Sequence, residues 1–441
     1  MSTTATATTA AMTTAPVPLV GREAELAALS ARLLGQDVRL ITVTGQVGVG
    51  KSRLVAALFE RLRDQFADGG AHLDLATADL DGLDGLGDRH FLLAVDGCED
   101  RTRELAPKLA ALVTACPRLS VLVASPSRLG VYGEAVVRLA PLRLPDASAD
   151  MPAFASVPSV RLFVQRTQAV RPDFRLTETN RAAVAELCTR TDGLPLAIEL
   201  LAAGMELSSP QRLIADMDRD LGCLTGTGSA TLSRHHSMTA AIEWSLARLD
   251  DGERALLARL AVFTGHFDLA AATAVSRAPQ LLAGLVDKNL LSTTECQDGD
   301  LIFRMSGPTR RYLVQRDEHR AAQRAHAEYF LGMADEDHSP ELIDAWYPDI
   351  EAAVTYLRDS GDAAGMTKLT AGNARRPVEH PLTNREFEVA KLVACGMTNR
   401  EVARNLGIAE WTAVNHLRKI MRKLECSSRV QVASWMTTLD R

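Results

Sequence analysis

Eight consecutive residues, Gly45-Gln46-Val47-Gly48-Val49-Gly50-Lys51-Ser52, have the G-x-x-x-x-G-K-S spacing of a loop that cradles phosphates. The residue types explain the chemistry. Glycines let the backbone curl until its N–H groups converge, and a helix starting at Lys51 adds the positive end of its dipole. Lys51 reaches the outer phosphates, Ser52 offers its hydroxyl to Mg²⁺, and Arg53 follows on the same turn. A metal-bound phosphate chain also needs a carboxylate at the end of a neighbouring buried strand. Asp96 closes the run His90-Phe91-Leu92-Leu93-Ala94-Val95-Asp96 and is the candidate, so Ser52 and Asp96 are the predicted Mg²⁺ ligands. Just beyond, Glu99 or Asp100 could polarise a water, with Glu99 the candidate catalytic residue.

A second kind of chemistry lies at the other end of the chain. In residues 382–424, LTNREFEVAKLVACGMTNREVARNLGIAEWTAVNHLRKIMRKL, either Thr398 or Asn399 can cap a short helix carrying Val402, Ala403 and Leu406. Gly407 supplies a turn, and a second helix follows from about Ala409. On it Ala413, Leu417, Ile420 and Leu424 form one apolar stripe. The opposite face carries Trp411, Asn415, Arg418 and Arg422, with Thr412, Val414, His416, Lys419 and Lys423 beside them. Such a helix can pack on one side and enter a major groove of double-stranded DNA with the other.

Both sets of residues need scaffolds. The phosphate loop follows an apolar β-branched strand over 39–44 and precedes a helical pattern at Leu54, Val55, Leu58 and Leu62. A second strand falls near 71–76, and a helix near 103–114 leads to another strand at 119–124. This alternation predicts a parallel α/β sheet. From 157 to 221 apolar residues recur at helical spacing and predict a helical lid. Helices over 238–267 and 281–291, with a strand pair at 290–294 and 301–305, give a winged-helix pattern without a basic recognition stripe. One or two amphipathic helices follow within 319–357, and Gly365, Gly372 and Pro377 mark 362–377 as a linker. The predicted fold class is therefore multidomain α/β plus all-α: a P-loop parallel sheet with helical lid and winged helix, then a C-terminal four-helix helix-turn-helix domain. The expected boundaries are a disordered leader at 1–18, a nucleotide domain at 19–145, a lid at 146–225, a winged helix at 226–318, a helical remnant at 319–361, the linker at 362–377 and the DNA-binding domain at 378–441.

Charge and cysteine usage agree with this plan. The net charge is −6, yet residues 373–441 hold twelve Lys/Arg against seven Asp/Glu, a net +5 that leaves −11 on the rest. A basic tail on an acidic body fits a DNA reader attached to a regulatory unit. The 7 cysteines are scattered, with no C-x-x-C pair, as in a reduced, cytoplasmic protein. No apolar stretch approaches the ~18 to 20 residues of a membrane span. His235-His236 lack a ligand cluster, and adjacent helical histidines diverge.

In order and spacing, LTNRE at 382–386, the G-x-[ST]-N-x-E-[IV]-A stretch at 396–403 and NHLRKIMRKL at 415–424 resemble the DNA-binding domain of LuxR-type transcription regulators. The family usually has Thr-Val-Lys where this chain has Thr412-Ala413-Val414. A cationic contact is thereby lost, while Val414 and Trp411 offer apolar contact to a thymine methyl. The body resembles the NB-ARC-like ATPase module of STAND regulators: Leu19-Val20-Gly21-Arg22-Glu23, the phosphate loop, 92–99, 129–134, 160–174 and Gly193-Leu194-Pro195-Leu196 follow its order. The whole order is similar to that of the large ATP-binding LuxR-type regulators, shortened, with the sensor repeats nearly absent. The resemblance implies that Val20, Gly21, Arg22 and Pro195 border an adenine, that Gly45, Gly48, Gly50, Lys51, Ser52 and Arg53 hold the phosphates of ATP or ADP, and that a winged helix closes over the nucleotide. Read from the residues alone, Gly193 to Leu196 is a break between helices.

Departures from the family cluster around hydrolysis. Ala124-Ser125-Pro126 replaces the usual Thr-Ser-Arg, with Arg128 two places beyond Pro126, and Met305-Ser306-Gly307 replaces Met-His-Asp. At most slow ATP hydrolysis is expected, and no metabolic chemistry. The leading expectation is a regulator that binds DNA as a homodimer or larger assembly through residues including Asn399, with an apolar strip at 430–436 for pairing, and with RNA polymerase as a further partner. The alternatives are an active ATPase motor tethered to DNA, and a nucleotide-stabilised scaffold whose DNA binding ignores ATP.

Overall fold

The computed structural model describes residues 19–35, 38–77, 86–98, 101–146, 149–219, 237–276, 278–295, 300–314, 316–334, 340–372, 384–394, 397–398, 401–402, 417, 420–421, 423–424, 431–433 and 435–436. The chain divides into two compact units, one running to His326 and the other beginning at Ala327. The predicted leader at 1–18, the His235-His236 pair and Glu99-Asp100 lie outside the described residues.

In the first unit, α1 (Glu23–Leu34), β1 (Leu40–Thr44), α2 (Lys51–Leu62), β2 (Gly70–Asp74), β3 (Phe91–Asp96), α3 (Thr102–Ala115), β4 (Leu119–Ala124) and β5 (Glu134–Arg138) build a sheet with helices. All five residues of β1 and all six of β4 are buried. Continuously buried runs of this kind, mostly apolar and carrying only Thr42, Thr44 and Ser120 as polar members, belong in the middle of a parallel sheet covered on both faces. β2 and β5 alternate in exposure and form the edges of the order β2-β3-β4-β1-β5. Every neighbouring pair is parallel, with Val43 opposite Ala124 and Val95 opposite Val123. The C-terminal ends of β1, β3 and β4 therefore share one rim, from which the phosphate loop and Asp96 both emerge. α2 buries Leu54, Val55, Leu58, Phe59 and Leu62, each worth roughly 1.5–3 kcal/mol against exposure. On the other side Leu105, Leu109 and Leu112 of α3 pack with Leu93, Val95, Val121 and Val123.

A helical layer follows: α4 (Met151–Ser156), α5 (Pro158–Val170), α6 (Glu178–Arg190), α7 (Pro195–Gly204) and α8 (Pro210–Arg219). Proline opens α5 and α7, where the missing N–H has no intrahelical partner to lose. Thr177 and Asn180 close a reciprocal capping box on α6.

Next come α9 (Met238–Ala247), α10 (Asp251–Leu260), β6 (His266–Phe267), α11 (Leu269–Val275), α12 (Leu282–Asp287), β7 (Leu291–Glu295), β8 (Leu301–Met305) and α13 (Gly307–Leu313). The strands pair in the antiparallel order β6-β8-β7. The sequence reading found β7 and β8 but not β6. That strand has only two residues, too few for a period, and is held by Phe267 stacked between Phe263 at 4.5 Å and Phe303 at 5.8 Å.

Helix α14 (Asp317–Met333) carries the boundary between the units. Near its start His319 is only 8% exposed, and its Nδ1 is buried without a partner. Burial first, then the positive charge of Arg310, His326 and Arg320, pushes its pKa from 6.5 down to about 4. The unfolded chain takes up this proton near 6.5, whereas the folded chain resists until about 4. Stability from this residue is therefore complete above the higher value and declines as pH falls towards the lower one. A His319→Gln variant should show a flatter unfolding-temperature profile across that window. Parallel profiles for variant and wild type would contradict this account.

In the second unit α15 (Pro340–Asp359) is followed by α16 (Ala363–Gly372). The region read as a linker, 362–377, is thus helical across most of its length; residues 373–377 lie outside the described set. Gly365 and Gly372 looked like helix breakers, but Asp362 accepts the Gly365 N–H at 2.8 Å and Leu369 is fully buried. Helix capping and tertiary packing outweigh the glycine propensities. Further on, α17 (Asn384–Ala394) contributes Val389, Ala390 and Val393 to a core shared with Val402, Leu417, Ile420, Val432 and Met436. Leu424 and Trp435 pack against it. The 430–436 strip expected to pair two copies is thereby corrected: Val432 and Met436 are fully buried in their own domain, because so small a core needs every amphipathic helix it has.

Candidate functional site

At the rim of the sheet, Gly50 takes φ 98° to turn the loop into α2, a conformation a side chain would strain. Gly48 serves close approach. A Cβ there would lie 2.7 Å from the Leu196 Cβ, and Leu196 N–H donates to the Gly48 carbonyl at 3.1 Å. The phosphate loop and the start of α7 are thus in direct contact. Lys51 Nζ donates to the carbonyls of Gly45 at 2.9 Å and Gln46 at 3.0 Å, so its ammonium lies curled over the loop. Ser52 Oγ donates to Asp96 Oδ1 at 3.0 Å, and the same oxygen accepts the Gly97 N–H at 2.8 Å. Gln46 Oε1 is buried without a partner.

Of these residues Gly45, Gln46, Gly48, Gly50, Lys51, Ser52 and Leu196 line a cavity of about 480 Å³, and Asp96 is joined to its lining through Ser52. Gly45, Gly48, Gly50, Lys51, Ser52, Arg53 and Pro195 all face it. Its opposite wall comes from the winged-helix stretch, through Trp244, Arg248, Lys288, Asn289, Ser306 and Thr309. The donor set fits a nucleotide di- or triphosphate with a hard divalent cation. The first turn of a 12-residue helix and the Lys51 side chain border the cavity, and a hydroxyl and a carboxylate oxygen are already side by side at its edge. Glu199 draws Arg53 to 2.7 Å and Arg166 to 3.0 Å, fastening α2 to the helical layer.

Val20, Gly21 and Arg22 are not among the residues lining the cavity. Arg22 is 4% exposed and donates to the carbonyls of Val49 at 3.2 Å and Ala140 at 2.7 Å, while Glu25 holds its other nitrogen at 2.8 Å. Its guanidinium braces the phosphate loop from behind. A Cβ on Gly21 would lie 2.3 Å from the Pro158 Cβ, so this position serves the docking of α5. Arg128 pairs with Asp287 at 3.2 Å on the surface. Asp192, in the turn before α7, binds Arg304 at 2.8 Å and the Gly307 N–H, joining that turn to the winged-helix stretch. The sequence reading missed Arg248, Lys288 and Asn289, which are cations and an amide at helix ends; only the tertiary fold brings them to the loop.

In the second unit Thr398, one of the two candidate caps, exchanges hydrogen bonds with Glu401: Glu401 accepts the Thr398 N–H at 2.7 Å, and Thr398 Oγ1 accepts the Glu401 N–H at 3.4 Å. Leu417 and Ile420 point into the core, as the apolar stripe requires. Of the predicted DNA face, Lys423 is half-buried; Asn399, Trp411, Thr412, Val414, Asn415, His416, Arg418, Lys419 and Arg422 lie outside the described residues. Among the described residues no helix is long and apolar enough to cross a membrane.

Fold and site together define a P-loop ATPase body, with a winged helix, followed by a helix-turn-helix unit. Family models agree segment by segment: an AAA ATPase domain over 18–198, a winged helix-turn-helix domain over 249–318, and the LuxR family of bacterial regulatory proteins over 380–436. The uncharacterized protein Rv0894 of Mycobacterium tuberculosis is 33% identical over 330 residues, covering 67% of this chain and 80% of its own length. A second protein of that organism, named "Putative HTH-type transcriptional regulator Rv0890c", is 31% identical over 383 residues; the match covers 77% of this chain but only 42% of the relative. The nitrate/nitrite response regulator NarL of Escherichia coli is 40% identical over 55 residues, or 12% of this chain and 26% of NarL. Among solved structures, the STAND protein PH0952 of Pyrococcus horikoshii aligns over 92% of this chain and 64% of its own, at 14% identity and a TM-score of 0.27. The chain belongs to the family of LuxR-type regulators that carry an ATPase domain.

Proposed function

We propose that this chain is a cytoplasmic transcription regulator in which the nucleotide state of the ATPase body sets the DNA affinity of the LuxR-type unit. ATP or ADP occupies the cavity between phosphate loop and winged helix, with Mg²⁺ on Ser52 and Asp96. When bound, that ion neutralises part of the phosphate charge. Lys51 leaves the Gly45 and Gln46 carbonyls for the phosphates, and Leu194, Pro195 and Leu196 supply apolar cover on the α7 side. The observation that carries this reading is that one cavity is walled by both the phosphate loop and the winged-helix stretch. A ligand touching both walls makes different contacts in closed and open arrangements, as a switch requires. Hydrolysis is at most slow, since Arg128 is engaged by Asp287 and does not line the cavity. DNA is bound by two or more copies, because one helix-turn-helix reads few base pairs, and RNA polymerase is a further partner.

The test is fluorescence-anisotropy binding of the full-length protein to selected duplex DNA at fixed salt, without nucleotide, with ADP, and with a non-hydrolysable ATP analogue. The switch predicts a difference in affinity of about tenfold between nucleotide states, or about 1.4 kcal/mol of coupling. Equal affinities, with nucleotide binding confirmed separately, would reduce the nucleotide to a structural role.

A further inference from the structure

On the cavity wall facing α2, one cation comes from a turn fastened on both sides to the sheet. Lys288 caps α12: its N–H donates to the Gly284 carbonyl at 3.0 Å, and Leu290 N–H returns to Leu285 at 2.9 Å. Between them Asn289 adopts φ 56°, left-handed for a residue with a side chain. It is kept there by a bond from Nδ2 to the Pro126 carbonyl at 2.6 Å and is only 5% exposed. On the other side of Lys288, Asp287 pairs with Arg128 at 3.2 Å. Pro126 and Arg128 leave the end of β4, which lies beside the end of β1, and β1 feeds the phosphate loop. The turn 287–289 is therefore registered against the rim that holds the phosphates.

The Lys288 ammonium rests on the Glu253 carboxylate. Glu253 is a shared partner: it also accepts the Asp250 N–H at 3.1 Å as part of the α10 capping box, and its side chain is 8% exposed. The other winged-helix cation on the cavity, Arg248, lies over the Trp244 ring at 5.0 Å, and Arg53 is held by Glu199. Lys288 thus has a carboxylate that remains bonded to the backbone if the ammonium departs, and it faces a space that receives several negative charges.

We propose that Lys288 is the phosphate-sensing residue of the winged helix: it exchanges Glu253 for the phosphate chain of a bound nucleotide, and that exchange ties the turn 287–289 to the charge in the cavity. This rests on the reading of the cavity as a nucleotide site. Glu253 sets the threshold, because the phosphates must outcompete it. Lys288 is a positioning and recognition residue, with no part in bond breaking.

The experiment uses the full-length protein and isothermal titration with Mg-ADP, Mg-ATPγS and adenosine. Lys288→Met should weaken both phosphorylated ligands by about tenfold, the scale of one charge-assisted contact, and leave adenosine unchanged. Lys288→Arg should restore binding to within about threefold, and Glu253→Gln, which frees the ammonium while preserving the cap, should tighten the phosphorylated ligands about threefold. Unfolding temperatures without ligand separate these effects from loss of fold; if Lys288→Met does not fold, Glu253→Gln decides, tighter binding supporting the exchange and unchanged binding overturning it. Wild-type affinity in a folded Lys288→Met protein overturns the inference. The nucleotide-site reading would stand in that case provided that Lys51→Ala abolishes binding, whereas a wild-type protein that binds none of the ligands overturns both.

Discussion

A Lys51→Ala variant is expected to bind nucleotide at least about a hundredfold more weakly than wild type, a loss near 2.7 kcal/mol, while keeping its fold. Lys51 sits at the first position of α2, and its described bonds go to the carbonyls of Gly45 and Gln46 in the loop. Alanine is a good helix former there. What disappears is the loop ammonium that faces the cavity, while the neighbouring Arg53 is engaged by Glu199. Charge-assisted bonds to phosphate are worth roughly 1.5–3 kcal/mol each, and two are lost together. A fluorescent ADP analogue measures the affinity directly. Thermal unfolding gives a second readout: the upward shift that saturating ADP produces in wild type should vanish, because that shift follows ligand concentration over Kd. A variant that still binds ADP at wild-type affinity would remove the phosphate-loop assignment. A variant that loses nucleotide yet retains normal, nucleotide-insensitive DNA binding would favour the scaffold alternative.

The phosphate half of the site was legible in the sequence because its chemistry is local. Three glycines, a lysine and a serine fall within eight residues, β1 announces itself by its β-branched Ile-Thr-Val-Thr, and β3 by the apolar run before Asp96. The placing of Asp96 beside Ser52 was readable for the same reason: the end of a buried parallel strand lies on the rim that carries the loop, and the two meet at 3.0 Å. The edge strand β5 was not legible, since its half-exposed Glu-Ala-Val-Val-Arg takes its strand state from pairing with β1. Nor was the opposite wall. Lys288 lies more than two hundred residues beyond the loop, and neither its helix-end position nor its neighbours mark it as facing a cavity. Arg22 is the converse case. Its place in Val20-Gly21-Arg22 pointed to the nucleotide, but a buried guanidinium must satisfy its donors, and here carbonyls of the loop and of the β5 exit do so. It shapes the site from outside the cavity lining.

The C-terminal unit allows a test of the DNA claim that leaves the nucleotide site alone. Ile420→Ala is expected to weaken DNA binding by at least about tenfold while changing ADP affinity less than about twofold. Ile420 is fully buried with Val389, Val393, Val402, Leu417 and Met436. Truncating a buried isoleucine costs about 2–5 kcal/mol, depending on how far the cavity collapses. A domain of this size has a core near the lower limit for independent folding, so that loss is a large part of its stability. The helix bearing Leu417 and Ile420 is the one whose other face carries Asn415, Arg418, Lys419 and Arg422 in the sequence, so loosening its inner face disorganises the outer one. Every described residue lining the proposed nucleotide cavity belongs to the unit that ends at His326, which is why ADP should be indifferent. Ile420→Val, at about 0.5–1.5 kcal/mol, provides the graded control and should retain most of the DNA affinity. Anisotropy with a selected duplex measures one affinity and calorimetry with ADP the other. Full DNA affinity in an Ile420→Ala protein whose C-terminal unit has melted would mean that the DNA contacts come from elsewhere in the chain. Parallel loss of both affinities would mean that the two units do not fold independently.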